Sequence, residues 1–417
     1  MTRRSDDDHP PSPPPPHHGE LDDLFAIVDR LPFFGSLKKD LTHLRKLLYD
    51  RRTPRVLAIG ARGSGRTSLA NSLLRLPALP LGEHAASPPD AWIRIDAGGR
   101  HLDWLEVASG PLEGGRLAMV RRALDENAPD VVLVAARADA PETEGAAARE
   151  TLAQIHTMLA EAKTLAAEGK AARPATIGVI THVDRVTQPE AAEIGGVRFA
   201  TEDLARLDAA TLALTKQLEA GTTTKVARPI PVLAGGELGG PESPVRWNLE
   251  ELAAAIHDAL ADEAKVEAVR ALAVPVEMRR ELARTIVNHC AAAAVTVGLM
   301  PVPFSDAIIL LPLQGVMVSG VAYLAGQPWD RRAALEWLGS VGVMGGAAFG
   351  LRWGAQQLVK LIPGAGTLVS GSVAGAGTLA IGRSAIAYFV DGPGARTPRF
   401  QLPADAATPI ETPPPTE

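Results

Sequence analysis

The stretch Gly60-Ala-Arg-Gly63-Ser64-Gly65-Arg66-Thr67-Ser68 carries the clearest chemistry in the chain. Its glycines leave the backbone free to turn several N–H groups toward one point, and the SLANSLL run from Ser68 onward has the apolar spacing of a helix whose N-terminal dipole would face the same point. Such an array suits phosphate oxygens. Thr67 stands where a hydroxyl would hold a Mg²⁺ ion beside them. Arg66 occupies the position that such loops usually give to lysine. An ammonium is a compact point charge, whereas a guanidinium is longer, planar and fork-shaped, so phosphate binding survives the exchange more readily than catalytic geometry does.

The surrounding elements must hold that loop in place. Arg55 to Gly60 (RVLAIG) reads as a buried strand, giving a strand–glycine loop–helix context. Trp92 to Asp96 and Leu102 to Val107 are strand-length runs parted by Gly98-Gly99, a hairpin pattern. VVLVAARAD after Asp130 is a continuous apolar run that predicts a central strand. Then come a helix over Glu144 to Gly169, a strand over Thr176 to Ile180, a helix over Leu204 to Leu218, a strand over Ile230 to Leu233 and a helix from Leu249 to Leu260 with Asn248 as its expected cap. Upstream, Leu37, Leu41, Leu44 and Leu48 recur at helical spacing within an amphipathic stretch from Leu21 to Tyr49 that Leu31-Pro32 interrupts.

Thr181-His182-Val183-Asp184 follows directly on one of these strands. With the glycine loop, it resembles the Era-like and Ras-like P-loop GTPases, whose NKxD or TKxD motif recognises guanine. The resemblance implies that Asp184 accepts hydrogen bonds from the base, that Thr181 replaces the usual Asn through its hydroxyl, and that His182 stacks on the ring. Ala234-Gly235-Gly236 occupies the place of the family's final guanine loop and offers backbone contacts. The implied ligands are GTP or GDP, with Mg²⁺ at a weakened site. The catalytic parts depart from the family. Its DxxG motif corresponds to Val107-Ala108-Ser109-Gly110, which lacks the Asp, and Pro111 stands where hydrolysing members place Gln. Glu106 is adjacent but alternates to the other strand face, so a metal role for it would need a bulge. Ser87 is the candidate replacement for the family's switch Thr, because no Thr occurs between Thr67 and Gly110. These departures imply slow GTP hydrolysis or none.

The C-terminal half changes character. Between Thr285 and Ala325 Asp306 is the only acidic or basic side chain apart from His289, Cys290 reads as a buried small apolar side chain, and Pro301-Val-Pro303 divides the run. Phe304 to Ala325 is long enough to cross a hydrocarbon core; Leu338 to Leu351 is too short alone, and Leu361 to Gly382 is rich in glycine. Asp306 is expected to cap the helix near Ser305. A repeat of Gly298-Leu-Met-Pro301 as Lys360-Leu-Ile-Pro363 suggests two related helical hairpins, and Gly371 and Gly375 allow close helix approach in water or lipid. The phrases GLMPVPFSDA…PLQ and KLIPGAG resemble the YcjF-like hydrophobic helical domain of unknown function, which follows Era-like GTPases in many bacteria. That resemblance implies membrane association and no catalytic site in this half.

Composition bounds the whole. The chain has 417 residues, a formal net charge of -6 and a single cysteine, so neither a general basic field for nucleic acid nor an internal disulfide is expected. The Pro-rich start has no apolar core of a secretory signal. The expected organisation is α/β: a disordered tail (1–20), a helical segment (21–53), a Ras-like P-loop NTPase domain (54–262), an apolar all-helical domain (263–391) and a second tail (392–417). The expected function is a guanine-nucleotide-binding protein with degenerate catalytic motifs. It would act as a switch or scaffold in the cytoplasm at the inner membrane, with a membrane or apolar protein partner, possible homo-oligomers and no nucleic acid. The alternatives are a slow GTPase using Arg66, a nucleotide-free structural adaptor, and a soluble helical effector.

Overall fold

The computed structural model describes residues 35–75, 90–96, 100–161, 174–191, 197–220, 227–235, 246–299, 309–327, 329 and 366–392. Both tails, Ser87, Gly98-Gly99, Gly236, Asp306, Leu338 to Leu351 and the KLIP phrase lie outside these residues. The chain forms two compact units. One contains Thr42–Leu282, and the other joins the described residues before Thr42 to those from Ala283 onward.

The first unit is a mixed α/β domain. Its strands are β1 (Arg55–Gly60), β2 (Ile93–Asp96), β3 (His101–Ala108), β4 (Val131–Arg137), β5 (Ala175–Thr181) and β8 (Ile230–Pro231), with short pairs β6 (Glu190–Ala191) with β7 (Val197–Arg198), and β9 (Leu233–Ala234) with β10 (Arg246–Trp247). The main sheet runs in the order β2-β3-β1-β4-β5-β8, parallel throughout except for the antiparallel β2–β3 pair. Because β1 and β4 are central, each must bury both faces, and their uninterrupted apolar sequences do so.

The helices are α1 (Gly35–Leu48), whose residues divide between the units at Thr42, α2 (Arg66–Leu74), α3 (Gly114–Glu126), α4 (Pro141–Glu161), α5 (Thr201–Glu219), α6 (Leu249–Ala259) and α7 (Asp262–Ala271), followed by α8 (Val276–Gly298), whose residues divide between the units at Leu282. One core joins Leu57, Ile59, Leu105, Val107, Val132 and Val134 of the sheet to Val120 of α3, Ile155 of α4 and Leu214 of α5. Each such side chain removed from water contributes about 1.5–3 kcal/mol. The four leucines of α1 singled out by their spacing are all buried. Asn248 holds the N-cap position of α6, as expected, but its side chain makes no cap hydrogen bond: it lies at φ 59°, and its Nδ2 donates to Pro231 O at 3.0 Å, so the side chain ties the helix start to β8 instead.

In the second unit, the later part of α8 accompanies α9 (Leu311–Leu324) and α10 (Gly366–Ala385), the latter continued by one π-helical turn, Ile386–Val390. A Cβ on Gly375 would meet Val295, and one on Gly382 would meet Val287, so the glycines of α10 let it lie directly on α8. Gln314 Nε2 donates to the fully buried Thr378 Oγ1 at 3.1 Å, a polar tie between two otherwise apolar helices. Among the described residues, one helical stretch, Val373–Val390, is long and apolar enough to cross a membrane, and 39% of it is buried within the protein.

Candidate functional site

The glycine loop sits at the carboxyl end of β1. Gly63 and Gly65 adopt φ of 78° and 81°, a left-handed conformation that a side chain would strain, and α2 starts at Arg66. The first amides of that helix have no intrahelical acceptor and are available to an anion. Ser68 is half-buried in the first turn, and Ser64 is fully buried with its hydroxyl packed toward Gly60.

The second motif touches the first. Thr181 ends β5, is 2% exposed, and donates through Oγ1 to Ser64 O at 2.8 Å, so its hydroxyl holds the glycine loop. His182, left-handed at φ 51°, brings its ring within van der Waals reach of Gly65: a Cβ there would lie 3.1 Å from His182 Cε1. Burial lowers the His182 pKa, and nearby Arg185 acts in the same direction. Asp184 is exposed on the following 3-10 turn, Val183–Arg185. Ala234 lies on β9, where its carbonyl accepts from Ser72 Oγ of α2 at 2.8 Å, and Gly235 follows at φ 96°. Thus the end of β5 is joined to the glycine loop, and α2 to the β9 turn, by direct hydrogen bonds.

Glu106 corrects the expectation from strand alternation. Alternation holds, but the parallel register Ala58↔Glu106 and Gly60↔Ala108 turns Glu106, not Val107, toward α2. Val107 is buried in the core on the opposite face. Glu106 is 3% exposed; its Oε1 accepts from Thr67 Oγ1 at 2.9 Å and from Trp104 Nε1 at 3.0 Å, and its Oε2 lies 3.8 Å from Arg66 Nε. Burial lowers the Arg66 pKa, Glu106 opposes that shift, and Arg116 adds to it. A carboxylate in a buried strand needs such partners, and Trp104-x-Glu106 on one strand face was the signal for it in the sequence.

Two further features were not evident from motifs. Arg116 in the first turn of α3 donates to Ala108 O at 2.7 Å and pairs with Asp90 at 3.0 Å, so a second guanidinium stands near Arg66. The Ser109–Leu112 turn is also pinned. Ser109 N donates to Gly60 O at 2.9 Å, Gly110 N to Thr151 Oγ1 at 2.9 Å, Thr151 Oγ1 back to Gly110 O at 2.8 Å, and Leu112 N to Gln154 Oε1 at 2.9 Å.

No protein-family model matches this sequence, and no curated protein matches it. Solved structures similar to it include Toc33 from Arabidopsis thaliana in complex with GDP and Mg²⁺ (14% identity, 57% of this chain and 93% of that chain, TM-score 0.32). Era from Aquifex aeolicus bound to GDP.AlF4- is 19% identical over 58% of this chain and 67% of that one, with TM-score 0.31. The FeoB G-domain from Methanococcus jannaschii is 15% identical over 50% of this chain and 98% of that one, with TM-score 0.26. Against SsGBP, at 15% identity and TM-score 0.27, the chain covers 58% of that protein's length. These likenesses are weak, and several of the chains are P-loop GTPases.

Proposed function

We propose that the first unit binds a guanine nucleotide, with its phosphates on Gly60 to Ser68 and its base at Thr181 to Asp184 and Ala234. The observation that carries this reading is the Thr181 Oγ1 to Ser64 O hydrogen bond, which makes the base motif and the phosphate loop one structure. Arg66 would reach the phosphates, His182 would flank the sugar or base, and Asp184 would accept from the base. The Ras-like order of the sheet supports the same reading. Thr67 and Glu106 offer a hydroxyl and a carboxylate within hydrogen-bond distance of each other, a donor set that fits Mg²⁺. The ion would supply charge neutralisation at the phosphates.

The chain's own residues favour holding nucleotide over cleaving it. Pro111 cannot orient a water as Gln does, and the Gly110 amide is already bonded to Thr151. The second unit, carrying the apolar Val373–Val390 stretch, would attach the protein to the cytoplasmic membrane, making it a nucleotide-dependent scaffold or switch. Equilibrium binding of fluorescent GDP, GTP and ATP analogues to the full chain, beside Arg66→Ala and Asp184→Ala, tests the first part. Guanine-selective binding weakened in both variants is the expected result. Absence of binding to folded wild type would leave the structural-adaptor alternative.

A further inference from the structure

The exposed side chains of the second unit are sorted along its helices. Two close approaches fix the levels of α8 and α10: Gly375 meets Val295 and Gly382 meets Val287, so these helices run antiparallel. Gln314 of α9 donates to Thr378 of α10, and the π-helical turn after α10 also packs on α9. At about 1.5 Å per residue both contacts are met only if α9 runs parallel to α10, which puts Leu311 near the level of Gly375 and Val295. At this end three large apolar side chains face water: Leu311 is 58% exposed, Leu299 37% and Val295 36%. Ala292, one turn before Val295, and Ala376, next to Gly375, are exposed as well. Among the described residues, no charged side chain occurs at 290–299, 309–327 or 366–382.

Charge begins farther along the same helices. Arg383 on α10 and Arg284 on α8 are both exposed and lie about 12 and 16 Å beyond the Gly375–Val295 level. Between the two zones Asp40 Oδ1 stands 2.8 Å from His289 Nδ1 and ties α1 to α8, with the exposed Lys38 and Lys39 less than a turn away. The described residues of this unit therefore set Lys38, Lys39, Arg284 and Arg383 against Asp40 and Asp391, a positive balance in a chain of formal net charge -6. Contiguous apolar surface is unfavourable in water, and a basic zone above it selects a partner that carries anions over an apolar layer. A bilayer with anionic lipids offers phosphate and hydrocarbon in that order. Arg383 also stands near the middle of Val373–Val390, where an exposed guanidinium opposes a full crossing by that helix.

We propose that the end of the second unit marked by Val295, Leu299 and Leu311 inserts into one leaflet of an anionic membrane, with Arg284 and Arg383 on the phosphate layer above it. The unit is then held by its tip and does not cross the bilayer. This rests on the membrane attachment proposed above and gives it a surface, a depth and a lipid class. The long arginine side chains reach down to the phosphates from their level on the helices, while the leucines enter the acyl boundary.

The test is flotation of the full chain on phosphatidylcholine vesicles with and without phosphatidylglycerol, comparing wild type, Leu299→Glu/Leu311→Glu and Arg284→Gln/Arg383→Gln. Wild type should float best on the phosphatidylglycerol vesicles and less as salt rises. The leucine double variant should lose about tenfold in partitioning on both kinds of vesicle, and the arginine double variant about tenfold on the anionic ones alone. A second measurement needs no charged substitution: an environment-sensitive dye attached through Leu311→Cys should shift to the blue on vesicles, and one attached through Ala387→Cys should not. The native Cys290 is fully buried and stays unlabelled. Wild type that floats on neither vesicle would remove the membrane reading and this proposal together. Flotation that both double variants retain, or a dye shift at position 387 without one at 311, would leave the membrane reading standing and overturn the proposal. Resistance of wild type to alkaline carbonate extraction would also overturn it, in favour of a crossing helix.

Discussion

Thr67 Oγ1 donates to Glu106 Oε1 at 2.9 Å, joining the first turn of the loop helix to β3 by a partly buried, charge-assisted hydrogen bond. The same carboxylate also receives Trp104 and faces Arg66, so three donors converge on one side chain. It thereby holds the glycine loop and stands beside the place where a phosphate-bound cation would sit.

Glu106→Ala should therefore destabilise the first unit by about 3 kcal/mol, because it leaves the Arg66 guanidinium, the buried Trp104 indole and the half-buried Thr67 hydroxyl without their acceptor. Urea unfolding followed by tryptophan fluorescence measures this. Glu106→Gln, which keeps the Thr67 and Trp104 bonds, should cost less but abolish any Mg²⁺ dependence of nucleotide binding. If Mg²⁺ dependence persists in Glu106→Gln, the carboxylate has no part in holding the ion.

The Thr151 hydroxyl closes a two-way bond with the backbone of Gly110, and Gln154 fixes Leu112 one turn further along α4. Thr151→Val keeps the shape and removes both bonds, at an expected cost of about 1–2 kcal/mol. Amide exchange should accelerate at residues 109–112 and remain unchanged in β4. If the proposed nucleotide binds, a turn restrained in this way would respond little to its γ-phosphate, so the variant should discriminate GTP from GDP more strongly than wild type in the same exchange measurement. Equal discrimination would mean that Thr151 does not hold back a switch.

Much of the chain up to Leu282 was legible because its signals are local. The apolar runs of β1 and β4, the glycine loop between strand and helix, and the leucine spacing of α1 each depend on a few consecutive residues. Glu106 was misplaced because its face depends on the pairing of β3 with β1, which no short window contains. The Asn248 side chain was assigned to a cap on residue type alone, yet the nearby Pro231 carbonyl captures it. The hydroxyl of Thr181 serves the glycine loop for the same kind of reason, since Ser64 comes 117 positions earlier and meets it only in the folded sheet.

Acid should weaken the first unit through His182 and His257. Burial depresses both pKa values in the folded state below their ordinary 6.5. The unfolded chain then binds more protons between the folded and unfolded pKa values, so stability rises with pH across that window. The contribution is complete above about 6.5 and is lost as pH falls toward the folded values. Urea midpoints measured from neutral pH downward should decline, and His182→Asn should flatten part of that decline. An unchanged slope in the variant would show that His182 is not desolvated when folded.

The close approach of α10 to α8 sets the last prediction. A Cβ at Gly382 would overlap the Val287 side chain, coming within 2.6 Å of Cγ2 and 3.0 Å of Cβ. Gly382→Ala should therefore cost about 1–3 kcal/mol despite the higher helix propensity of alanine, because overpacking outweighs the propensity gain of about 1 kcal/mol. Val287→Ala alone should also destabilise, by removing buried methyl groups from a fully packed site. Combined, the two substitutions exchange bulk across the same contact, so the double variant should be more stable than the sum of the single losses. A thermal-unfolding cycle on the full chain in a mild detergent measures that coupling. Strict additivity would mean that the two helices do not meet at Gly382, whereas coupling there and at the Gly375–Val295 contact would assign the glycines of α10 to packing within the chain instead of to a second copy.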